Sequence, residues 1–262
     1  MDVLLQASAL HFAYGAQPVL RGIDLSLRGG EVAALLGPNG TGKSTLIKIL
    51  LGQLRAQGSV LWNGRPVQRW KSRELARLVA YLPQTPAYEP SQRVGEALRI
   101  GRTPYWGAFG VETHADIAAV AAVVELLKLG DLQHRRMDQI SGGQRQRVFL
   151  GRCLVQEPLA LLLDEPSTHL DLRHQVELCS LLRNLADQRH LAVLMASHEL
   201  SLAASFADRL VLLEDGRAAA DGPPQKVMDA ELLSRVFGVR LRRCDAPGLP
   251  PLIAPEAKIG EK

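Results

Sequence analysis

Three short runs of the chain are apolar almost without interruption: Val32-Ala33-Ala34-Leu35-Leu36, Leu159-Ala160-Leu161-Leu162-Leu163 and Leu191-Ala192-Val193-Leu194-Met195-Ala196. A strand with one wet face would alternate, so an unbroken short run predicts a strand buried on both faces of a parallel sheet. Each run ends abruptly. The first meets Gly37-Pro38-Asn39-Gly40-Thr41-Gly42-Lys43-Ser44, too rich in glycine for helix or strand, after which Thr45 to Leu51 reads as a helix closed by Gly52. The second ends in Asp164-Glu165, and the third in Ser197-His198. The first 35 residues read as short strands separated by turns, with further strands at 58–64 and 78–82. From about residue 88 to 155 the pattern is helical, most clearly in the alanine-rich stretch 116–129. Asp215-Gly216 between two apolar runs predicts a hairpin. From Ala246 the chain is rich in proline and polar groups and reads as a loosely held tail, with no internal repeat anywhere.

Composition narrows the class. The length of 262 residues suits one large domain or a core with an inserted subdomain. No apolar run reaches the roughly 18 residues that would span a membrane. The start, Met1-Asp2-Val3-Leu4-Leu5, lacks the basic-then-apolar pattern of a secretory signal. Three scattered cysteines (Cys153, Cys179, Cys244) without a CxxC pair point to a reducing compartment and away from a disulfide or zinc framework. The net charge of +4 is spread through the chain rather than clustered, so it predicts a solvated surface with some affinity for anionic lipid headgroups, and no nucleic-acid partner.

The chemistry begins at the glycine loop. Gly37, Gly42, Lys43 and Ser44 match GxxxxGK[ST] between a buried strand and a helix. Glycines at Gly37, Gly40 and Gly42 let the loop after Pro38 turn its backbone N–H groups, those of Asn39 and Thr41 among them, toward phosphate oxygens, and the helix opening at Thr45 adds the positive end of its dipole. Lys43 would reach the β- and γ-phosphates and Ser44 would bind Mg²⁺, so the loop predicts ATP with Mg²⁺. Asp164 and Glu165 divide the remaining labour: the first holds the metal and the second polarises the attacking water. Upstream of them, Ile140-Ser141-Gly142-Gly143-Gln144 precedes a helical run from Arg145 to Val155, with Ser141 placed as its N-cap. This is a second anion-binding helix start. One nucleotide needs only one phosphate cradle, so this one is expected to serve the nucleotide of another subunit.

With these motifs in this order the chain resembles the ATP-binding subunits of ABC transporters. The resemblance covers roughly residues 4–240, with Ile140 where the family usually has leucine. It implies a P-loop NTPase core of mostly parallel sheet with an N-terminal antiparallel β-subdomain and an inserted helical signature subdomain. The implied boundaries are one domain over 1–245, its core at 1–87 and 156–245 and its helical part at about 88–155, then a flexible tail at 246–262. It implies that Tyr14 stacks on adenine and that Gln84 senses Mg²⁺ and the attacking water. Glu165 is implied as the catalytic glutamate. Ser167-Thr168-His169-Leu170-Asp171 corresponds to the loop crossing the dimer seam, so Asp171 joins the nucleotide-binding set, and His198 to the switch histidine on the γ-phosphate. It implies a homodimer in which Ser141, Gly142, Gly143 and Gln144 close over ATP held by the partner. Two transmembrane permease subunits and, indirectly, a periplasmic substrate-binding protein complete the implied assembly, on the cytoplasmic face of a bacterial inner membrane.

Only about 100 residues separate Lys43 from Ser141, with no sustained heptads, unlike the coiled-coil chromosome and repair relatives. The single cassette separates the chain from translation-factor relatives, and the absence of fused membrane helices from typical exporters. An importer fits best. Gly101-Arg102-Thr103-Pro104-Tyr105, then Gly107 and Phe109-Gly110, resembles the helical segment of importers for iron-siderophores, haem and cobalamin, as do Asp221-Gly222-Pro223, Glu231-Leu232-Leu233 and Val236-Phe237-Gly238-Val239. Tyr105, Trp106 and Phe109 would anchor a helix of the membrane partner, or pack the subdomain's own core. Molybdate importers share much of this pattern and remain the alternative, with non-transport ABC ATPases behind them.

Overall fold

The computed structural model of the chain describes residues 2–107, 110–168 and 170–256. Strands β1 (Val3–Tyr14) and β2 (Gln17–Arg28) form one long antiparallel hairpin instead of several short strands. Register shifts between Ala7 and Leu10 and again near Phe12 break the two-residue alternation, which is why the sequence reads as separate pieces. Strand β3 (Val32–Leu36) runs through the glycine loop into helix α1 (Lys43–Leu50). β4 (Gln57–Trp62) and β5 (Arg65–Pro66) complete an antiparallel sheet ordered β2-β1-β4-β5. Then α2 (Ser72–Leu78) and β6 (Val79–Leu82) lead out to three helices, α3 (Val94–Ile100), α4 (His114–Leu126) and α5 (Gly142–Leu154). The chain returns through β7 (Ala160–Asp164) and alternates α6 (Leu172–Arg189), β8 (Ala192–Ala196), α7 (Leu200–Phe206) and β9 (Arg209–Glu214). The hairpin partner β10 (Arg217–Gly222) and two short helices, α8 (Pro224–Val227) and α9 (Ala230–Phe237), follow. Last come β11 (Leu241–Cys244) and β12 (Leu252–Pro255), paired antiparallel.

The second sheet has six strands in the order β10-β9-β3-β8-β7-β6, all parallel except the edge strand β10. It explains the unbroken apolar runs. Val32, Ala34 and Leu36 pack toward the helices α3 to α7, while Ala33 and Leu35 pack toward α1 and the antiparallel sheet. The same split divides Leu161 and Leu163 from Ala160 and Leu162, and Val193 and Met195 from Ala192 and Leu194. Both faces are therefore dry, and a polar residue at any of these positions would be buried without a partner. Trp62 reaches across from the antiparallel sheet, wholly buried, and its indole N–H donates to the carbonyl of Leu50 at 2.8 Å, satisfying a helix end that would otherwise be orphaned.

The stretch after Ala246, expected to hang loose, carries β12, whose Ile253 N–H donates to Ser201 Oγ of α7 at 3.3 Å; residues 257–262 lie outside the described ones. Among the described residues no helix is long and apolar enough to cross a membrane. Cys153 and Cys179 are buried, each thiol pushed up to about 12 by burial, so neither is poised to react near neutral pH.

Within the helical region Arg102 Nε donates to Asp116 Oδ1 at 2.8 Å, both side chains buried. The Thr113 backbone N–H, donating to Asp116 at 2.9 Å, holds that carboxyl below the usual carboxylate range; burial opposes it and Arg102 assists. A folded-state pKa below the unfolded one means stability that is fully present above the ordinary carboxylate range and lost as pH falls through and below it. Asp116→Asn is therefore expected to be less stable than the parent from pH 7 down to about 4, with the gap closing only as pH falls further, through and below the ordinary carboxylate range. Urea midpoints measured across that range test it, and a gap that stays constant contradicts the assignment.

Candidate active site

Strands β3, β6, β7 and β8 present their carboxyl ends along one rim, the place where open α/β sheets hold ligands. β3 empties into the glycine loop. Gly37 has φ +142°, and a Cβ there would lie 2.4 Å from the Leu213 carbonyl oxygen, so only glycine lets the loop rest against β9. Gly42, at φ +99°, caps α1, and no side chain occupies that helix start. Lys43 folds back along the loop: it is buried, and its Nζ donates to the carbonyls of Gly37 at 2.6 Å and Pro38 at 3.0 Å. Thr41 Oγ1 donates to the same Pro38 carbonyl at 2.9 Å. Burial lowers the Lys43 pKa, against the upward pull of Glu165 and Asp164.

β7 delivers the acids. Asp164 is buried, and its Oδ1 accepts from Ser44 Oγ at 2.9 Å. Burial raises its pKa, with the Ser44 hydrogen bond acting in the opposite direction. Glu165 follows in a left-handed backbone, φ +50°, which costs a non-glycine residue about 1 kcal/mol or more. Glu165 Oε2 accepts from Gln84 Nε2 at 2.7 Å and from Thr168 Oγ1 at 3.3 Å, and His198 Nδ1 lies 3.8 Å away. The register Asp164↔Ala196 between β7 and β8 brings His198 to this crevice. Adjacent carboxylates thus have separate surroundings: Asp164 faces the loop serine, and Glu165 faces an amide, a hydroxyl and an imidazole.

A cleft of about 400 Å³ lies between the glycine loop and Glu165. It is lined by Tyr14 and Val19 of the hairpin, by Asn39, Gly40 and Gly42 to Thr45 of the loop, and by Gln84 and Glu165. Tyr14 is half exposed and stands edge-on to Phe12 with ring centroids 4.8 Å apart. The oxygen donors Ser44 and Asp164 fit Mg²⁺, which prefers hard oxygen ligands and shares its shell with phosphates and water. The raised Asp164 pKa, a buried carboxylate without a full counter-charge, fits a divalent cation in the same way.

The predicted residues Ser141 to Gln144 and Asp171 do not line this cleft. Ser141 caps α5: its Oγ accepts from the Gln144 N–H at 3.2 Å, and Gln144 Oε1 accepts from the Ser141 N–H at 2.9 Å. Asp171 caps α6, accepting from the His174 N–H at 2.9 Å. Gln146 Nε2 donates to the Pro166 carbonyl at 2.7 Å, which ties α5 to the loop after Glu165. His169 lies outside the described residues. Two contributors escape a reading by motif, Val19 in the cleft wall and Gln146, while Thr168 was read within the seam loop but not as a partner of Glu165. Thr168 had a signal, a hydroxyl three residues beyond the acid across a tight turn, while Val19 is marked by nothing along the chain.

A family model for the ABC transporter matches residues 20–168. A hemin import ATP-binding protein of Streptomyces coelicolor is 44% identical over 237 residues, 90% of this chain and 84% of that protein. The chain belongs to the ABC transporter family. This ABC transporter subunit binds ATP and is an ATPase coupled to transport. It is also 34% identical over 244 residues to a protein of Bacillus subtilis named for a siderophore transport system, covering 93% of this chain and 89% of that one. Among solved structures, a metal-chelate type ABC transporter in an inward-facing conformation superposes with a TM-score of 0.86 at 26% identity, over 98% of this chain and 99% of that chain.

Glu165→Gln should retain ATP binding within a few-fold while turnover falls at least about 100-fold, because an amide keeps the contacts to Gln84 and Thr168 but accepts no proton. Phosphate release and nucleotide titration measure the two quantities, and near-normal turnover rules out Glu165 as the base.

Proposed function

We propose that this chain is one of two identical ATPase subunits that power an importer of an iron chelate, haem or an iron-siderophore ahead of cobalamin. The observation that carries the two-subunit part is the separation of the anion-binding helix starts. Ser141 does not line the cleft with Lys43 and Ser44, and its cap stands outside it, exposed. A capped helix start that faces no ligand of its own subunit suits a phosphate brought by another. In the closed pair, Tyr14 stacks on adenine, the loop from Gly37 to Thr45 holds the phosphates, and Ser141 to Gln144 with Asp171 complete the site from across the seam. Ser44, Asp164 and Gln84 would hold Mg²⁺, which would supply charge neutralisation at the phosphates. Glu165 takes the proton of the attacking water while Lys43 and His198 steady the developing charge. Opening and closing the pair moves two permease subunits, which a periplasmic binding protein loads, with the ATPase on the cytoplasmic face of the membrane.

The relatives' names support the cargo: one is named for hemin import and one for a siderophore transport system. The segment expected to contact the permease is partly committed elsewhere. Tyr105 Oη donates to the Gln156 carbonyl at 2.8 Å within the chain, so it is no free anchor; Trp106 is half-buried, and Phe109 lies outside the described residues.

Ser141→Arg and Lys43→Ala should each abolish hydrolysis alone, yet their mixture should regain part of it, since one composite site then combines two intact halves. A mixture that stays inactive at all ratios rejects the shared site. Deleting the gene in its host should impair growth on haem or a siderophore as sole iron source. Unimpaired growth on both, with lost uptake of cobalamin, molybdate or another solute, would overturn the cargo and leave the ATPase untouched.

A further inference from the structure

Only two stretches connect the core with the helical region. The outgoing one runs from α2 through β6 to Gln84, and the returning one is the five-residue link from α5 to β7. That link joins Ser141, at the start of α5, to Asp164 and Glu165, at the end of β7, by the shortest covalent route. Its geometry is unusual: Glu157 takes φ +48°, a left-handed conformation uncommon for a residue with a side chain.

Arg102 holds this link. Its Nη1 donates to the Val155 carbonyl and to Glu157 Oε2, both at 2.7 Å, while Nε donates to Asp116 at 2.8 Å. The guanidinium lies 3.8 Å from the ring centroid of Tyr105, whose hydroxyl donates to the Gln156 carbonyl. Three successive residues of the link are thus fastened from one short segment. The same segment grips the outgoing stretch, since Arg73 Nε and Arg77 Nε of α2 both donate to the Pro104 carbonyl at 2.8 Å. The two stretches also enter the sheet side by side, with Leu159 N–H donating to the Leu78 carbonyl at 2.9 Å. At Gly101 a Cβ would come within 2.3 Å of the Arg152 carbonyl oxygen, so glycine lets this segment lie directly on the end of α5.

We propose that Arg102 is a positioning residue for hydrolysis: by locking the link between α5 and β7 to α4, within a segment that α2 also grips, it fixes where Ser141 stands relative to Glu165, and so how well one subunit closes on the nucleotide of another. The inference rests on the reading that Ser141 acts across the dimer. Lysine in place of Arg102 keeps the charge but not the planar fork that meets Asp116, Val155 and Glu157 together.

The test uses the full-length subunit in a Glu165→Gln background, with and without Arg102→Lys. A fluorescent ATP analogue reports nucleotide affinity of the monomer, and sedimentation reports the MgATP concentration giving half-maximal dimer. Affinity is expected to stay within about twofold while the dimer midpoint rises about tenfold or more, because small misplacements of a closing group weaken what it completes. If Arg102→Lys does not fold, Tyr105→Phe removes only the hydroxyl on Gln156 and should move the midpoint the same way by about threefold. An unchanged midpoint overturns the proposal, and so does a monomer affinity that falls in parallel, which marks general damage. Ser141→Arg, run alongside, must block dimerisation. If it dimerises normally, the shared-site reading falls and this inference with it; if it is blocked while Arg102→Lys behaves as its parent, this inference alone falls.

Discussion

A strand that is dry on both faces has nowhere to place a polar side chain except beyond its ends. β3, β7 and β8 are such strands, every residue of each buried. Their chemistry is therefore pushed to or past their carboxyl ends, to the glycine loop, to Asp164 as the last residue of β7 and Glu165 after it, and to Ser197 and His198. Parallel pairing then sets all these ends on one rim, in a register that places Asp164 opposite Ala196. The active site follows from how the core is packed.

That site holds two charges at a disadvantage. Burial lowers the Lys43 pKa and raises that of Asp164, so each is short of the solvation its charged form needs. Lys43 occupies itself with the carbonyls of Gly37 and Pro38, and Asp164 with the Ser44 hydroxyl. Both are partial substitutes. Phosphate oxygens for the lysine and a divalent cation for the aspartate would relieve the deficit, so the same burial that holds the sheet together favours a bound nucleotide. The left-handed backbone at Glu165 adds a small local strain, and its carboxylate and that of Asp164 take different partners.

The helical region answers a different need. Its three helices share one core with a face of the parallel sheet, so α5 and β7 are packed as well as covalently joined. The buried Arg102 gathers acceptors from α4, from the end of α5 and from the link to β7, and a buried guanidinium demands that each be present. Rigidity at this junction bears on the proposed shared site, because Ser141 does not line the cleft that holds Lys43 and Ser44.

Much of this was legible along the chain. The glycine loop, the acid pair and the Ser141 cap are each local: phosphate chemistry needs particular residue types within a few positions, and the unbroken apolar runs declare strands buried on both sides. The family resemblance carried Gln84 and His198, which no local pattern marks strongly. The sequence misread the long β1–β2 hairpin because bulges broke its alternation, and the end of the chain because proline-rich composition concealed the pairing of β12 with β11. Only the tertiary structure decided that Ser44 meets Asp164, that Gln84, Thr168 and His198 converge on Glu165, and that Tyr105 turns inward beside Arg102. Those pairings join segments up to 120 residues apart, and their partners depend on sheet order and helix packing rather than on spacing along the chain.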